Sequence, residues 1–99
     1  YGLISQMIAA PGMRGELASI LKGAVGEMPG CLSCVIAEDS DADALWITEV
    51  WSDRDSHRAS LGLPTVQAAI VRARPLIAGS GTRIETAPLG GFGLDMPRD

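Results

Sequence analysis

The order of elements in the sequence predicts an α+β fold, a ferredoxin-like four-stranded antiparallel sheet with its helices on one face. Three observations point there. Stretches of alternating apolar pattern exchange with stretches of helical spacing in the order strand, helix, strand, strand, helix, strand. The second and third strands are separated only by a short acidic turn, which suits an antiparallel hairpin. The first three strands also carry apolar residues on both faces, whereas helices on one side of a sheet cover only one face. The uncovered face requires a partner, and a second copy of the chain supplies a matching apolar face, so a homodimer through the sheet faces is expected.

The first strand runs from Gly2 to Ala10, with Leu3, Ser5, Met7 and Ala9 on one face and Ile4, Gln6, Ile8 and Ala10 on the other. Pro11-Gly12 ends it. The apolar stripe Met13, Leu17, Ile20, Leu21, Ala24 and Met28 predicts a helix that lays one face on the sheet, and Pro29-Gly30 closes it. Cys31 to Glu38 is the second strand, followed by the turn cluster Asp39-Ser40-Asp41-Ala42-Asp43, whose short side chains favour local hydrogen bonds.

Leu45 to Trp51 is the third strand and the organising one. It places Leu45, Ile47, Glu49 and Trp51 on one face and Trp46, Thr48 and Val50 on the other, both mostly apolar. Ser52 and Asp53 then offer caps for a helical piece to Ser60. Pro64 starts a second piece with Val66, Ala69, Ile70 and Ala73 on one stripe, disturbed by Pro75. Gly79 to Gly81 is expected to be a flexible junction before a short last strand, Thr82 to Ala87. Residues 88–99 read as an irregular tail, with Phe92 and Leu94 expected to clamp it to the partner subunit.

The 99 residues make one domain, 1–99, with a net charge of −4. A negative domain repels the phosphate backbone, which argues against a nucleic-acid partner. No apolar run approaches the roughly 20 residues that span a bilayer, and no secretory signal opens the sequence, so no membrane partner and a soluble, cytoplasmic setting are expected. Cys31 and Cys34 form a C-x-x-C. In a regular strand that spacing puts the sulfurs on opposite faces with Cα atoms about 10 Å apart, beyond disulfide reach, and no second Cys or His cluster completes a metal site. Two inert thiols are expected.

Glu49-Val50-Trp51 followed by Asp53, Ser56 and His57, with a Gly-Leu-Ile opening strand and a Met28-Pro29-Gly30-Cys31 helix exit, resembles the antibiotic biosynthesis monooxygenase domains over nearly the whole chain. The resemblance implies a dimeric α+β barrel. It also implies kinship with enzymes that oxidise quinols or polyphenols with molecular oxygen and neither metal nor flavin, so no cofactor is expected. Some cofactor-free members carry an asparagine four residues before this tryptophan; here that position is Ile47, and the sequence contains no asparagine. Haem-degrading relatives share the tryptophan but rely on an asparagine and on a histidine further into the helical region than His57, so that reading loses most of its support.

Trp51 offers a large ring face to a planar aromatic ligand, or simply fills the core. Glu49 shares its face and would take a phenolic proton, or pair with an arginine such as Arg83 across the sheet. His57 is of the one side-chain type that ordinarily exchanges protons near neutral pH, which suits deprotonation of a hydroquinone to the electron-rich anion that reacts with oxygen; exposure or capping is its plainer role. Gln6 and Ser5 would orient a ligand. By the resemblance, Arg72 or Arg74 would stabilise an anion. Two functions follow as expectations. One is a cofactor-independent monooxygenase acting on a small quinol or polyphenol, with His57 and Glu49 catalytic and Trp51, Gln6, Arg72 and Arg74 binding substrate. The other is a non-catalytic dimeric module that binds a small aromatic molecule.

Overall fold

In a computed structural model, which describes residues 1–26 and 28–94, the chain forms β1 (Gly2–Ala9), α1 (Arg14–Ala24), β2 (Cys31–Glu38), β3 (Ala44–Trp51), α2 (Arg54–Ser60), α3 (Pro64–Ala73), a 3₁₀ turn (Arg74–Leu76) and β4 (Ile77–Thr86). The strands make one antiparallel sheet in the order β2-β3-β1-β4. This is the ferredoxin-like arrangement the element order predicts. No helix among the described residues is long and apolar enough to cross a membrane.

β3 lies between β1 and β2, and its register carries its two-faced pattern across the sheet. Leu3, Ser5 and Met7 sit opposite Glu49, Ile47 and Leu45, on the side covered by helices. There Leu17 and Ile20 of α1, Leu45 of β3, Ala9 of β1, and Ala69 and Ala73 of α3 form the core, with Leu17 and Leu45 fully buried. Each buried leucine contributes roughly 1.5–3 kcal/mol through loss of apolar surface to water. The small residues of α3 let it approach α1 closely. On the other side of the sheet Ile4, Ile8, Val35, Val50 and Ile84 have no covering layer, and Val35 and Ile84 remain 55% and 47% exposed.

The acidic turn is built as its composition suggests. Asp39 Oδ1 accepts from the Asp41 backbone N–H at 2.9 Å, and Asp41 Oδ1 from that of Asp43 at 3.0 Å. Asp39 Oδ2 also accepts from Trp46 Nε1 at 2.5 Å and from Gln6 Nε2 at 3.1 Å. These bonds, the Asp41 N–H first and Trp46 next, hold the Asp39 carboxyl below the usual carboxylate range. Arg14, in the first turn of α1, ties the helix to the turn by donating to the carbonyls of Asp39 and Asp41 and pairing with Glu38 at 2.8 Å.

Two expectations are corrected by irregular pairing. Gly79 to Gly81 is no flexible junction but part of β4, which starts at Ile77 and pairs with β1 through two register shifts. The Gln6 side chain occupies the room one shift opens: its Oε1 accepts from Thr82 N–H, and a Cβ on Gly81 would lie only 2.0 Å from that oxygen. In β2 a shift between Cys31 and Ser33 places Cys31 opposite Trp51 and Cys34 opposite Glu49. Because Trp51 and Glu49 share a face, the two cysteines share it too, contrary to the regular-strand expectation, and both are free thiols. The irregular tail is seen over residues 88–94, with Leu89 and Phe92 fully exposed, whereas 95–99 lie outside the described residues.

Gly30 fixes where β2 begins relative to α2. Its φ is +83°, its carbonyl accepts from Ser52 N–H at 2.8 Å, and a Cβ there would sit 2.5 Å from Ser56 Cβ. Gly30→Ala is therefore expected to cost at least about 1–2 kcal/mol from the left-handed backbone alone, lowering Tm by several degrees. Thermal unfolding followed by circular dichroism checks this; an unchanged Tm contradicts it.

Candidate functional site

The strand-to-helix passage positions the chemistry. β3 ends at Trp51, and Asp53, with extended backbone, caps α2 by accepting from Ser56 N–H at 2.7 Å. The bonds from Ser56 hold the Asp53 carboxyl below its ordinary range. With the helix so started, His57 is turned back toward the end of β3. Its ring meets Trp51 edge-on at 5.4 Å between centroids and Tyr1 at 5.6 Å. Trp51 is 1% exposed, and its Nε1 donates to Glu49 Oε1 at 3.2 Å.

These three side chains line a chamber of about 170 Å3 between the sheet and the helices. Ile36, Ile47 and Cys34 form the rest of its sheet wall, and Leu21, Val25, Ser60 and Val66 belong to the facing segments. A second, more apolar chamber of about 290 Å3 adjoins it, sharing Leu21, Ala24 and Val66; Met7, Ile70 and Ile77 line it with Arg74. The larger chamber holds one polar side chain, Arg74, whereas Glu49 and His57 both line the smaller one.

Of the residues expected at a site, Trp51, Glu49, His57 and Arg74 line the two chambers, and Arg72 and Gln6 do not. Arg72 lines a shallow groove with Ser19, Gly23 and Thr65 of α1 and α3. Gln6 points to the other side of the sheet, where Asp39 and the β4 irregularity engage it. The ion pair between Glu49 and Arg83 does not form, because Arg83 pairs instead with Glu85, two residues along its own strand, at 3.2 Å. Among the described residues Glu49 has no cationic partner, so its carboxylate stays available to a hydroxyl in the chamber.

Cys34, Ser60 and Tyr1 were not singled out as site residues. Cys34 enters the chamber only because of the shift after Cys31, which no residue pattern announces. Burial first, then the charge of Glu49 and the neighbouring Cys31, push the Cys34 thiol up to about 12, and Cys31 is raised mainly by burial. Both thiols are thereby held in the protonated form at neutral pH. No group of three or more His, Cys, Asp or Glu side chains among the described residues converges as metal ligands.

The family model for antibiotic biosynthesis monooxygenase matches residues 1–72. The chain belongs to the antibiotic biosynthesis monooxygenase family. Family membership supports a general monooxygenase-like function. Among solved structures, the chain is 54% identical to a protein of Chloroflexus aurantiacus J-10-fl, provisionally named an antibiotic biosynthesis monooxygenase, with 94% of this chain and 96% of the other covered at a TM-score of 0.91. A Mycobacterium tuberculosis protein, 21% identical with 92% and 96% covered and a TM-score of 0.75, shares the fold. So does a Deinococcus radiodurans protein, 23% identical with the same shares covered and a TM-score of 0.72. No curated protein matches the chain.

Proposed function

We propose that the chain is a cofactor-independent monooxygenase that oxidises a small quinol or polyphenol with molecular oxygen in the chamber against Trp51. The observation that carries this reading is the meeting of an unpaired carboxylate, an imidazole and an indole in one largely apolar chamber. In the proposed reaction the ring lies against the Trp51 wall, and Glu49 or His57 takes a phenolic proton. The resulting phenolate is electron-rich enough to reduce oxygen; one oxygen atom enters the ring and the other leaves as water, so quinol plus dioxygen gives hydroxyquinone plus water. Arg74, reaching the adjoining chamber, favours a negatively charged ligand. The two chambers together reach the size of ordinary small-molecule sites, roughly 300–1,000 Å3.

One observation favours the second reading, a non-catalytic module that binds a small aromatic molecule. Ile47, at the position where some cofactor-free members carry an asparagine, lines the chamber and brings no hydrogen-bonding group to it. Oxygen uptake by metal-free protein with a panel of hydroquinones separates the two. The monooxygenase reading expects uptake above background that falls by about 10²-fold or more in His57→Ala or Glu49→Gln, the scale of lost general acid–base catalysis, and a raised KM in Trp51→Phe. Binding without uptake would favour the module.

We further propose that a second copy of the chain covers the open sheet face. That face presents Ile4, Ile8, Val35, Val50 and Ile84, an apolar area a lone domain rarely leaves in water. Sedimentation equilibrium at micromolar concentration is expected to give twice the chain mass, and Val35→Lys with Ile84→Lys is expected to give monomers. A wild-type monomer contradicts the proposal.

A further inference from the structure

A third cavity, a surface cleft of about 220 Å3 lined from α2 and β4, adjoins the smaller chamber at His57 and Leu61. Tyr1, Arg54, His57, Arg58, Arg83 and Glu85 line it together with Leu61. His57 and Leu61 line the catalytic chamber as well, so one imidazole faces both spaces. The cleft thus holds three of the chain's eight Lys and Arg side chains, although the chain as a whole carries a net charge of −4.

The cations are brought together by one carboxylate. Glu85 Oε2 accepts from Arg54 at 2.6 Å and Glu85 Oε1 from Arg83 at 3.2 Å, one guanidinium coming from the helix and one from the strand. Tyr1 packs beneath them, with the Arg54 guanidinium 5.1 Å from its ring centre. The bond from Arg83 first, then the charge of Arg54, hold the Glu85 carboxyl below its ordinary range, so it is ionised at neutral pH. One negative charge against three guanidiniums leaves the cleft positive by two. Arg58 has no ion-pair partner among the described residues. Each guanidinium has five N–H donors, and Glu85 occupies only part of those on Arg54 and Arg83. The side chains of Arg54 and Arg83 are 58% and 56% exposed, so solutes reach them.

Fixed guanidiniums with unused donors, gathered around a positive excess, suit an oxyanion, since planar N–H forks match carboxylate and phosphate oxygens. We propose that this cleft binds a small oxyanion, and that the group is a carboxylate or phosphate borne by the aromatic ligand of the adjoining chamber. Arg58 and Arg83 are its specificity-determining contacts, and an anion bound there lies beside the imidazole that faces the ring. The second clause rests on the chamber being the ligand site; the first stands without it.

Binding is read without turnover, under nitrogen and at low ionic strength, so failure here is distinct from failure of the oxygen chemistry. In a nuclear magnetic resonance titration, inorganic phosphate and acetate are each expected to give saturable shifts at the His57 ring and at the amides around Arg58 and Arg83. Arg58→Ala and Arg83→Ala are each expected to weaken that binding by about tenfold, with Arg72→Ala, on the outer groove, as the unaffected control. Saturation by phosphate alone or by acetate alone identifies which oxyanion the cleft takes. A hydroquinone carboxylate is expected to bind wild-type protein at least about tenfold more tightly than the hydroquinone itself, and to lose that advantage in Arg58→Ala. Absence of saturable shifts with both anions, or shifts equal in Arg58→Ala and wild type, overturns the cleft as an oxyanion site and leaves it a tie between α2 and β4. Equal affinity for the two hydroquinones overturns the link to the chamber.

Discussion

A strand with no polar side must be covered twice, and most of this fold answers that requirement for β3. Leu45, Ile47, Glu49 and Trp51 face the helices, while Trp46 and Val50 face the other way, so β3 belongs inside the sheet, between β1 and β2. α1 and α3 cover the helix side around Leu17, Leu45, Ala69 and Ala73. Between the sheet and the helices two adjoining chambers remain, the smaller against Glu49 and Trp51 and the larger against Met7 and Ile77. Architecture and candidate site therefore share one strand face: it gives Leu45 to the core and Ile47, Glu49 and Trp51 to the wall of the smaller chamber.

That space gives its few polar groups unusual weight. Glu49 keeps a carboxylate among apolar side chains where, among the described residues, the Trp51 indole N–H donates to it, while the arginine that pairing across the sheet would have given it is taken by Glu85. The same pairing gathers positive charge beyond His57. Neighbouring carboxylates thus divide the work, one left open toward the chamber and one used to fix guanidiniums outside it. Burial first, and then the charge of Glu49, hold the two cysteines protonated beside it.

What could be read in the sequence is what depends on local pattern. The Cys31–Glu38 strand, the Asp53 cap and the Pro64 helix start all follow from alternation, capping chemistry or proline geometry, and the structure has them at those places. The acidic turn is equally local, down to its Asx hydrogen bonds. What escaped the sequence depends on partners. Glycines at 79 and 81 weaken a strand taken alone, but pairing with β1 keeps them in it, and the Gln6 side chain lies where a Cβ on Gly81 would be. The extra residue after Cys31 reverses the facing of a thiol, and a shift of one position is invisible in a period-two pattern. Gln6 and Arg72 have suitable chemistry on the wrong faces, and only the fold decides the face. That Trp51 and Glu49 share a face, and that a helix starts just before His57, was legible because strand alternation and a capping residue set both in advance.

The two tryptophans, one on each side of β3, make the central claim directly measurable. Anaerobic titration with a hydroquinone is followed by fluorescence in Trp46→Phe, which leaves Trp51 as the reporter, and in Trp51→Phe, which leaves Trp46. The account predicts a saturable change in Trp51 emission and none at Trp46. A response at Trp46 with Trp51 silent would place the ligand on the open face of the sheet and contradict a site between sheet and helices.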